Sequence, residues 1–268
     1  MTRAQTSQTS DAAFEASFSR FLRYAQLRIE DFSKPGLDEL AALRDGSPEG
    51  EIRYDDAFRR HYDFANIRAP YYNAKLLPIA RQYYREASAG DPDGGLGLVL
   101  LLNYHRADIA YATYLLYQHG ELTQRVFGRV LGDVFIDGKR CGILRASGFT
   151  LRQITEMFDA ALPHDIMDED DYAVFRSLPD VLEIYRGTAG QTAKQATYGM
   201  SWTCNRDTAE WFAGVHAFRG KPPQVWSGIV CRSDVLAYLN GRNEAEIVVR
   251  PGRVSGVRLE PTIQQLAA

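Results

Sequence analysis

Cysteine is scarce in this sequence: Cys141, Cys204 and Cys231 are the three thiols among 268 residues. They are odd in number, far apart and in no C-x-x-C pair, so neither a disulfide framework nor a zinc site is expected. Reduced, packed thiols in a cytosol fit the pattern better. Long apolar runs are missing too. The most apolar stretch, Leu96 to Leu102, is about a third of the roughly 20 residues that a membrane-spanning helix needs. Polar Asn103, His105, Arg106 and Asp108 follow it. The N-terminal MTRAQTSQTSDAAF has no apolar core, so no secretory signal is expected. Charge of one sign is also lacking: 31 Lys+Arg against 34 Asp+Glu leaves a net charge of -3. No global basic field draws in nucleic acid or an anionic membrane. The five histidines show no ligand spacing, so no metal is expected.

What is present is an ordinary globular balance, 45% hydrophobic and 24% charged. A chain this long buries a sizeable core unaided and forms one large domain or two small ones. Helical periodicity dominates the first half. Phe14, Phe18, Phe21, Leu22, Ala25 and Ile29 mark one helix face, with a loose tail before it, Ser10 or Asp11 as cap and Lys34-Pro35-Gly36 as stop. Further helical patterns run through Tyr54 to Ile67 and Tyr71 to Ala87, where Pro78 kinks or restarts the helix. Ala89 to Gly95 reads as a break, and Asp93-Gly94-Gly95-Leu96-Gly97 reads as a flexible connector rather than a phosphate loop, because no strand precedes it and G-x-G lacks a third glycine. Helices are predicted through Tyr104 to Tyr117 and Val126 to Leu131, at Leu151 to Ala161, and at the acidic Asp168 to Ser177. Asp168 to Asp171 reads as a solvated helix start.

After Pro179 strands take over. Val181 to Gly187, Tyr198 to Thr203, Gln224 to Val230, Glu244 to Val249 and Val254 to Pro261 are predicted strands. Asp207 to Ala213 is a predicted helix with a D-x-x-E cap, and Ser233 to Leu239 a short one. Helices first and strands later indicate an α+β fold: a helical region over residues 1–135, then a β-rich domain over 136–268.

Three short elements in that last part suggest chemistry. Tyr185-Arg186-Gly187 ends a strand, Ser201-Trp202-Thr203 lies just before a helix, and Glu244-Ala245-Glu246 opens an apolar strand. By strand alternation Ser201 and Thr203 share one face with Trp202 on the other, and Glu244 and Glu246 share a face. One cleft would then hold a guanidinium, two hydroxyls and two carboxylates. That set suits a ligand with both phosphate and ribose: arginine pairs with phosphate, and a carboxylate stabilises positive charge developing on a sugar ring.

The order Y-R-G, then S-W-T with a following A-x-x-F-A helix, then E-x-E resembles the Arg-Ser-Glu class of mono-ADP-ribosyltransferases over roughly residues 180–250. The resemblance implies a split, mainly antiparallel β core that binds NAD as substrate and uses no metal. Arg186 would brace the NAD phosphate and ribose, and the Gly187 backbone would contact the nicotinamide amide. Ser201 would orient the catalytic Glu246, Thr203 would close the serine motif, and Glu244 would orient the acceptor. Trp202 replaces the middle threonine of the family's Ser-Thr-Ser. Phe218 is the candidate aromatic for nicotinamide stacking, with Trp211 and Phe212 assigned to the core.

The resemblance further implies transfer of ADP-ribose to a macromolecular acceptor. A protein arginine is favoured by E-x-E, and a nucleic-acid base is the alternative. Members of this class serve as toxins, effectors or phage–host conflict proteins, so the expected site of action is the cytoplasm of the producer or of a target cell. An antitoxin or inhibitor is a partner to expect. Two other readings compete: NAD hydrolysis with water as acceptor, and a non-catalytic binding module on the same fold.

Overall fold

The computed structural model describes residues 3–32, 40–53, 74–136, 144, 147–217, 221–241 and 243–261. The chain divides into two compact units, Met1–Val130 and Leu131–Ala268. Among the described residues no helix is long and apolar enough to cross a membrane.

The first unit is helical. Helix α1 (Arg3–Tyr24) buries Phe18, Phe21 and Leu22 along the predicted face. It begins within the segment expected as a tail, upstream of both cap candidates. It ends early, because Gln26 turns into the left-handed region at φ 57°. Ile29, predicted on its buried face, sits instead in a 3-10 turn and is largely exposed. The stop at residues 34–36 and the helical pattern at 54–67 lie outside the described residues. Helix α2 (Leu76–Ser88) carries Pro78 in its first turn, where proline is tolerated. Helices α3 (Pro92–Leu101), α4 (Arg106–Gln118) and α5 (Gln124–Ile136) follow.

Residues 92–95 are helix, not connector. Asp91 accepts a hydrogen bond from Asp93 N and caps α3, with Pro92 at its first position. The glycines serve helix packing: a Cβ on Gly94 would come within 3.0 Å of Ala87 N and Tyr83 O, and one on Gly97 would strike the Tyr83 ring. A glycine-rich helix brings α3 closer to α2 than any larger residue would permit.

Tyr84, fully buried, meets the rings of Phe14, Phe18 and Phe21 at centroid distances of 5.9, 5.4 and 5.1 Å. Its hydroxyl lies 2.6 Å from Ser17 Oγ, and Ser17 donates to Glu121. Arg20 donates to the same carboxylate from Nε (2.9 Å) and Nη2 (2.8 Å). This network pairs the Tyr84 hydroxyl, Ser17 and Glu121 at the edge of an aromatic core.

The second unit takes in the end of α5, from Leu131, and then helices α6 (Leu151–Ala160), α7 (Pro163–Ile166) and α8 (Glu169–Ser177). Its sheet consists of β1 (Val181–Ala189), β2 (Ser201–Thr203), β3 (Pro223–Cys231), β4 (Val235–Leu239), β5 (Glu246–Val249) and β6 (Ser255–Glu260). The order is β4-β5-β2-β1-β3-β6, with every pair antiparallel. Helices α9 (Ala193–Thr197) and α10 (Arg206–His216) flank β2 in sequence. The architecture is α+β.

Four local expectations change. The segment predicted as a helix at Ser233–Leu239 is a 3-10 turn followed by β4, all five of whose residues are buried. Five consecutive apolar residues carry no period, so strand and helix look alike in sequence. Strand β2 starts at Ser201 rather than Tyr198, because Thr192 and Gln195 form a capping box that opens α9 just upstream. Asn205, not Asp207, caps α10 by accepting from Asp207 N and Thr208 N. Strand β5 starts at Glu246 rather than Glu244, because Ala245 is left-handed at φ 45°.

The Arg20–Glu121 pair generates a pH prediction. Burial pushes the Glu121 carboxyl up, but hydrogen bonds from Arg20 and Ser17 outweigh it and hold the pKa below the ordinary 4.5. A carboxyl whose native pKa lies below its unfolded value adds stability above the unfolded pKa and loses it as pH falls through the native one. Glu121→Gln is therefore expected to lower the thermal midpoint at pH 7 by roughly 3–10 °C. The gap to wild type should close as the pH is taken below the ordinary carboxylate range, as read by circular dichroism melts across that range.

Candidate functional site

The two central strands are joined at one register pair, Tyr185 opposite Thr203. By contrast β1 pairs with β3 along its whole length, from Val181 opposite Cys231 to Ala189 opposite Pro223. On the other side of β2, Val249 N donates to Met200 O, which turns the Ser201 carbonyl toward β1. The β1–β2 pairing does not reach Ser201. Arg186 Nη1 donates to that carbonyl instead. The guanidinium thus fills the gap where β1 and β2 part.

Cross-strand partners share a face. Thr203 opposes both Tyr185 and Glu246, and Ser201 opposes Val248. Tyr185, Gly187, Ser201, Thr203 and Glu246 therefore lie on one face of the sheet. Trp202 lies on the other, buried, with its Nε1 donating to Gly199 O at 2.8 Å. Helix α10 covers the first face. Its Ala209 and Ala213 pack with Val225 and Tyr185. Arg186 sets out from the opposite face and reaches the gap only because residue 199 is glycine: a Cβ there would collide with the guanidinium.

A cleft opens at this parting, with about 350 Å³ of empty space that runs out into solvent. Arg186, Gly187, Ser201, Thr203, Glu244 and Glu246 all line it. Its remaining walls are Tyr185, Trp202, Phe212 and His216.

The sequence-predicted residues occupy it in different ways. Glu246 is buried at 9% exposure, at the start of β5. Glu244 is half-buried. The two glutamates reach one cleft, but not by strand alternation: left-handed Ala245 stands between them and turns the chain. The Thr203 hydroxyl is committed to backbone, donating to Glu244 O at 2.9 Å and accepting from Asn205 N at 3.0 Å. It anchors the Glu244 segment. Gly187 has a packing duty: a Cβ there would fall within 3.0 Å of Ala209 O, Ala213 N and Phe212 Cβ. Arg186 Nε is buried against Gly199 with no protein partner. Phe218 lies outside the described residues.

Phe212 and His216 were not anticipated as cleft residues. They stand one helical turn apart on α10, their rings stacked at 6.0 Å and 17°. Trp211, assigned with Phe212 to the core, is 60% exposed and packs its edge on Phe212 at 4.9 Å. The signal was the Ala209/Ala213 stripe, which fixes the helix face toward the sheet and so rolls Phe212 and His216 to the cleft side. Among the described residues no three His, Cys, Asp or Glu side chains gather into a metal-ligand set.

Comparison with known proteins finds no matching family model, no matching curated protein and no matching solved structure.

The two glycines at the cleft should respond differently to alanine. At Gly187 the obstacle is α10 backbone, and the substitution is expected to destabilise by about 1–3 kcal/mol or more. At Gly199 the obstacle is the end of a flexible side chain. Gly199→Ala should keep the thermal midpoint close to wild type while displacing Arg186. Melting curves of the two variants side by side check the contrast, and a fall of equal size in both would contradict it.

Proposed function

We propose that the chain is a mono-ADP-ribosyltransferase that cleaves NAD at its nicotinamide–ribose bond and transfers ADP-ribose to a macromolecular acceptor. One observation carries the reading: Arg186, Ser201 and Glu246 come from three separate strands and meet at the cleft where β1 and β2 part. These are the residues on which the resemblance to the Arg-Ser-Glu class rests. A sheet held at its middle by one residue pair also suits the split β core of that class.

In this reading the dinucleotide lies across the opening. Arg186 pairs with phosphate through the terminal guanidinium N–H groups not used on the Ser201 carbonyl. The ring pair of Phe212 and His216 offers the flat surface beside nicotinamide for which Phe218 was the earlier candidate. Ser201 orients Glu246. The bond between the anomeric carbon and the nicotinamide nitrogen breaks, and nicotinamide leaves with the electron pair as a neutral base. Positive charge then develops on the ribose ring, facing the Glu246 carboxylate. Burial of that carboxylate strengthens the interaction. An acceptor nucleophile attacks the anomeric carbon and releases its proton to water. Half-buried Glu244 sits beside Glu246, where it can hold a cationic acceptor, which favours a protein arginine over a nucleic-acid base. A toxin or effector role, with an inhibitor protein as partner, rests on the family resemblance. The reading gives the helical first unit no role.

The test is nicotinamide release from NAD, with and without cell lysate. Wild type is expected to release it, faster with lysate. Glu246→Gln should release it about 10²–10³-fold more slowly, the usual loss when a transition-state electrostatic partner is removed. Release without lysate stimulation, yielding free ADP-ribose, would make water the acceptor. No release by folded wild type, even with lysate, would overturn the proposal in favour of a binding module.

A further inference from the structure

The segment between β4 and β5, residues 240–245, carries Glu244 and leads into Glu246. Its backbone is strained. Asn243 (φ 57°) and Ala245 (φ 45°) are both left-handed, and neither is glycine. Asparagine tolerates that region, but alanine there is strained and persists only when its surroundings hold it. Three kinds of restraint are visible. Asn243 N donates to Asn240 O at 2.8 Å and closes the turn. Thr203 Oγ1 donates to Glu244 O. Asn240 Oδ1 accepts from Ala245 N at 3.0 Å, so one side chain fixes the strained residue.

Asn240 is itself held from outside the sheet. Its N–H donates to Asp171 Oδ2 at 2.9 Å. Asp171 lies in the first turn of α8 and is 6% exposed, unlike its neighbours Glu169 and Asp170. The acidic run expected to be solvated therefore contains one buried carboxylate. Asp168 caps the helix by accepting from Asp171 N. A carboxylate buried to this degree and aimed at a backbone amide is a strong acceptor.

We propose that Asp171 is the positioning residue of the glutamate-bearing loop. It acts through Asn240 to hold Ala245 in its left-handed conformation and thereby sets where Glu244 and Glu246 stand in the cleft. The loop tie stands on geometry alone; its effect on turnover rests on the ADP-ribosyltransferase reading.

The test compares Asp171→Ala, Asp171→Asn and Asn240→Ala in the full chain, with exposed Asp170→Ala as control. Two readouts are taken: amide hydrogen exchange over residues 240–246, and the kcat and KM for nicotinamide release. In Asp171→Ala the Asn240 and Ala245 amides should exchange at least about 10-fold faster, while the strands elsewhere keep their protection. The kcat should fall about 10-fold or more with KM for NAD within about twofold of wild type, the signature of a lost transition-state arrangement. Asp171→Asn keeps an acceptor oxygen and should recover most of both properties. Asn240→Ala, which leaves α8 intact, should free Ala245 even if Asp171→Ala does not fold. Wild-type exchange at Ala245 in both alanine variants would overturn the proposal. So would a kcat unchanged in Asp171→Ala, or an Asp171→Asn variant as damaged as Asp171→Ala. If wild type releases no nicotinamide, the enzymatic reading fails, and the exchange data alone uphold or overturn the loop tie.

Discussion

Past Tyr185 and Thr203 the two central strands part, and the carbonyl of Ser201 is left facing a gap. A backbone carbonyl in a sheet interior needs a donor. Arg186 supplies it from the neighbouring strand, and the rest of the site follows from that arrangement. The guanidinium needs room, which Gly199 provides by having no side chain. The opening needs a wall, which α10 provides by packing Ala209 and Ala213 against β1 at a distance only Gly187 allows. The same helix then delivers Phe212 and His216 to the cleft. Arg186 thus completes the sheet and, on the proposed reading, binds the ligand's phosphate.

The opposite wall is built differently. Glu246 begins β5, directly across from Thr203, so the sheet register fixes its backbone. Glu244 precedes the strand and depends on a strained turn. Thr203 links the two: its side chain holds the Glu244 carbonyl while its backbone position opposes Glu246. The residue read from sequence as a second ligand hydroxyl is a structural clasp. Such division of labour is common where a few side chains must be held within a fraction of an ångström.

The sequence made the class of fold and the three motifs that line the cleft legible, because both rest on local signals, but not the Phe212 and His216 wall. Helical periodicity in Phe14 to Ala25 and the β-branched runs at Val181–Ile184 and Ile247–Val249 are short-range patterns. The Y-R-G, S-W-T and E-x-E elements are contiguous. What was hidden depends on tertiary context. Val235–Leu239 has no period, and only its place at the sheet margin makes it a strand. The D-G-G-L-G stretch looks like a loop, and only the nearness of Tyr83 and Ala87 explains its glycines as helix packing. Ala245 gives no sequence sign of positive φ, so strict alternation was assumed through Glu244 and Glu246. Asp171 looks like its acidic neighbours until Asn240 is found beside it.

The central claim is that the parting of β1 and β2 forms an NAD site anchored by Arg186. Thermal unfolding of wild type and Arg186→Lys over a range of NAD concentrations tests it most directly, because a ligand bound only by the native state raises the midpoint by mass action. Lysine keeps the charge but cannot both fill the gap at the Ser201 carbonyl and fork onto a phosphate. The account predicts a wild-type midpoint that climbs with the logarithm of NAD concentration and a climb much reduced in the variant. A wild-type midpoint that stays flat at millimolar NAD, or an equal climb in both proteins, would contradict it.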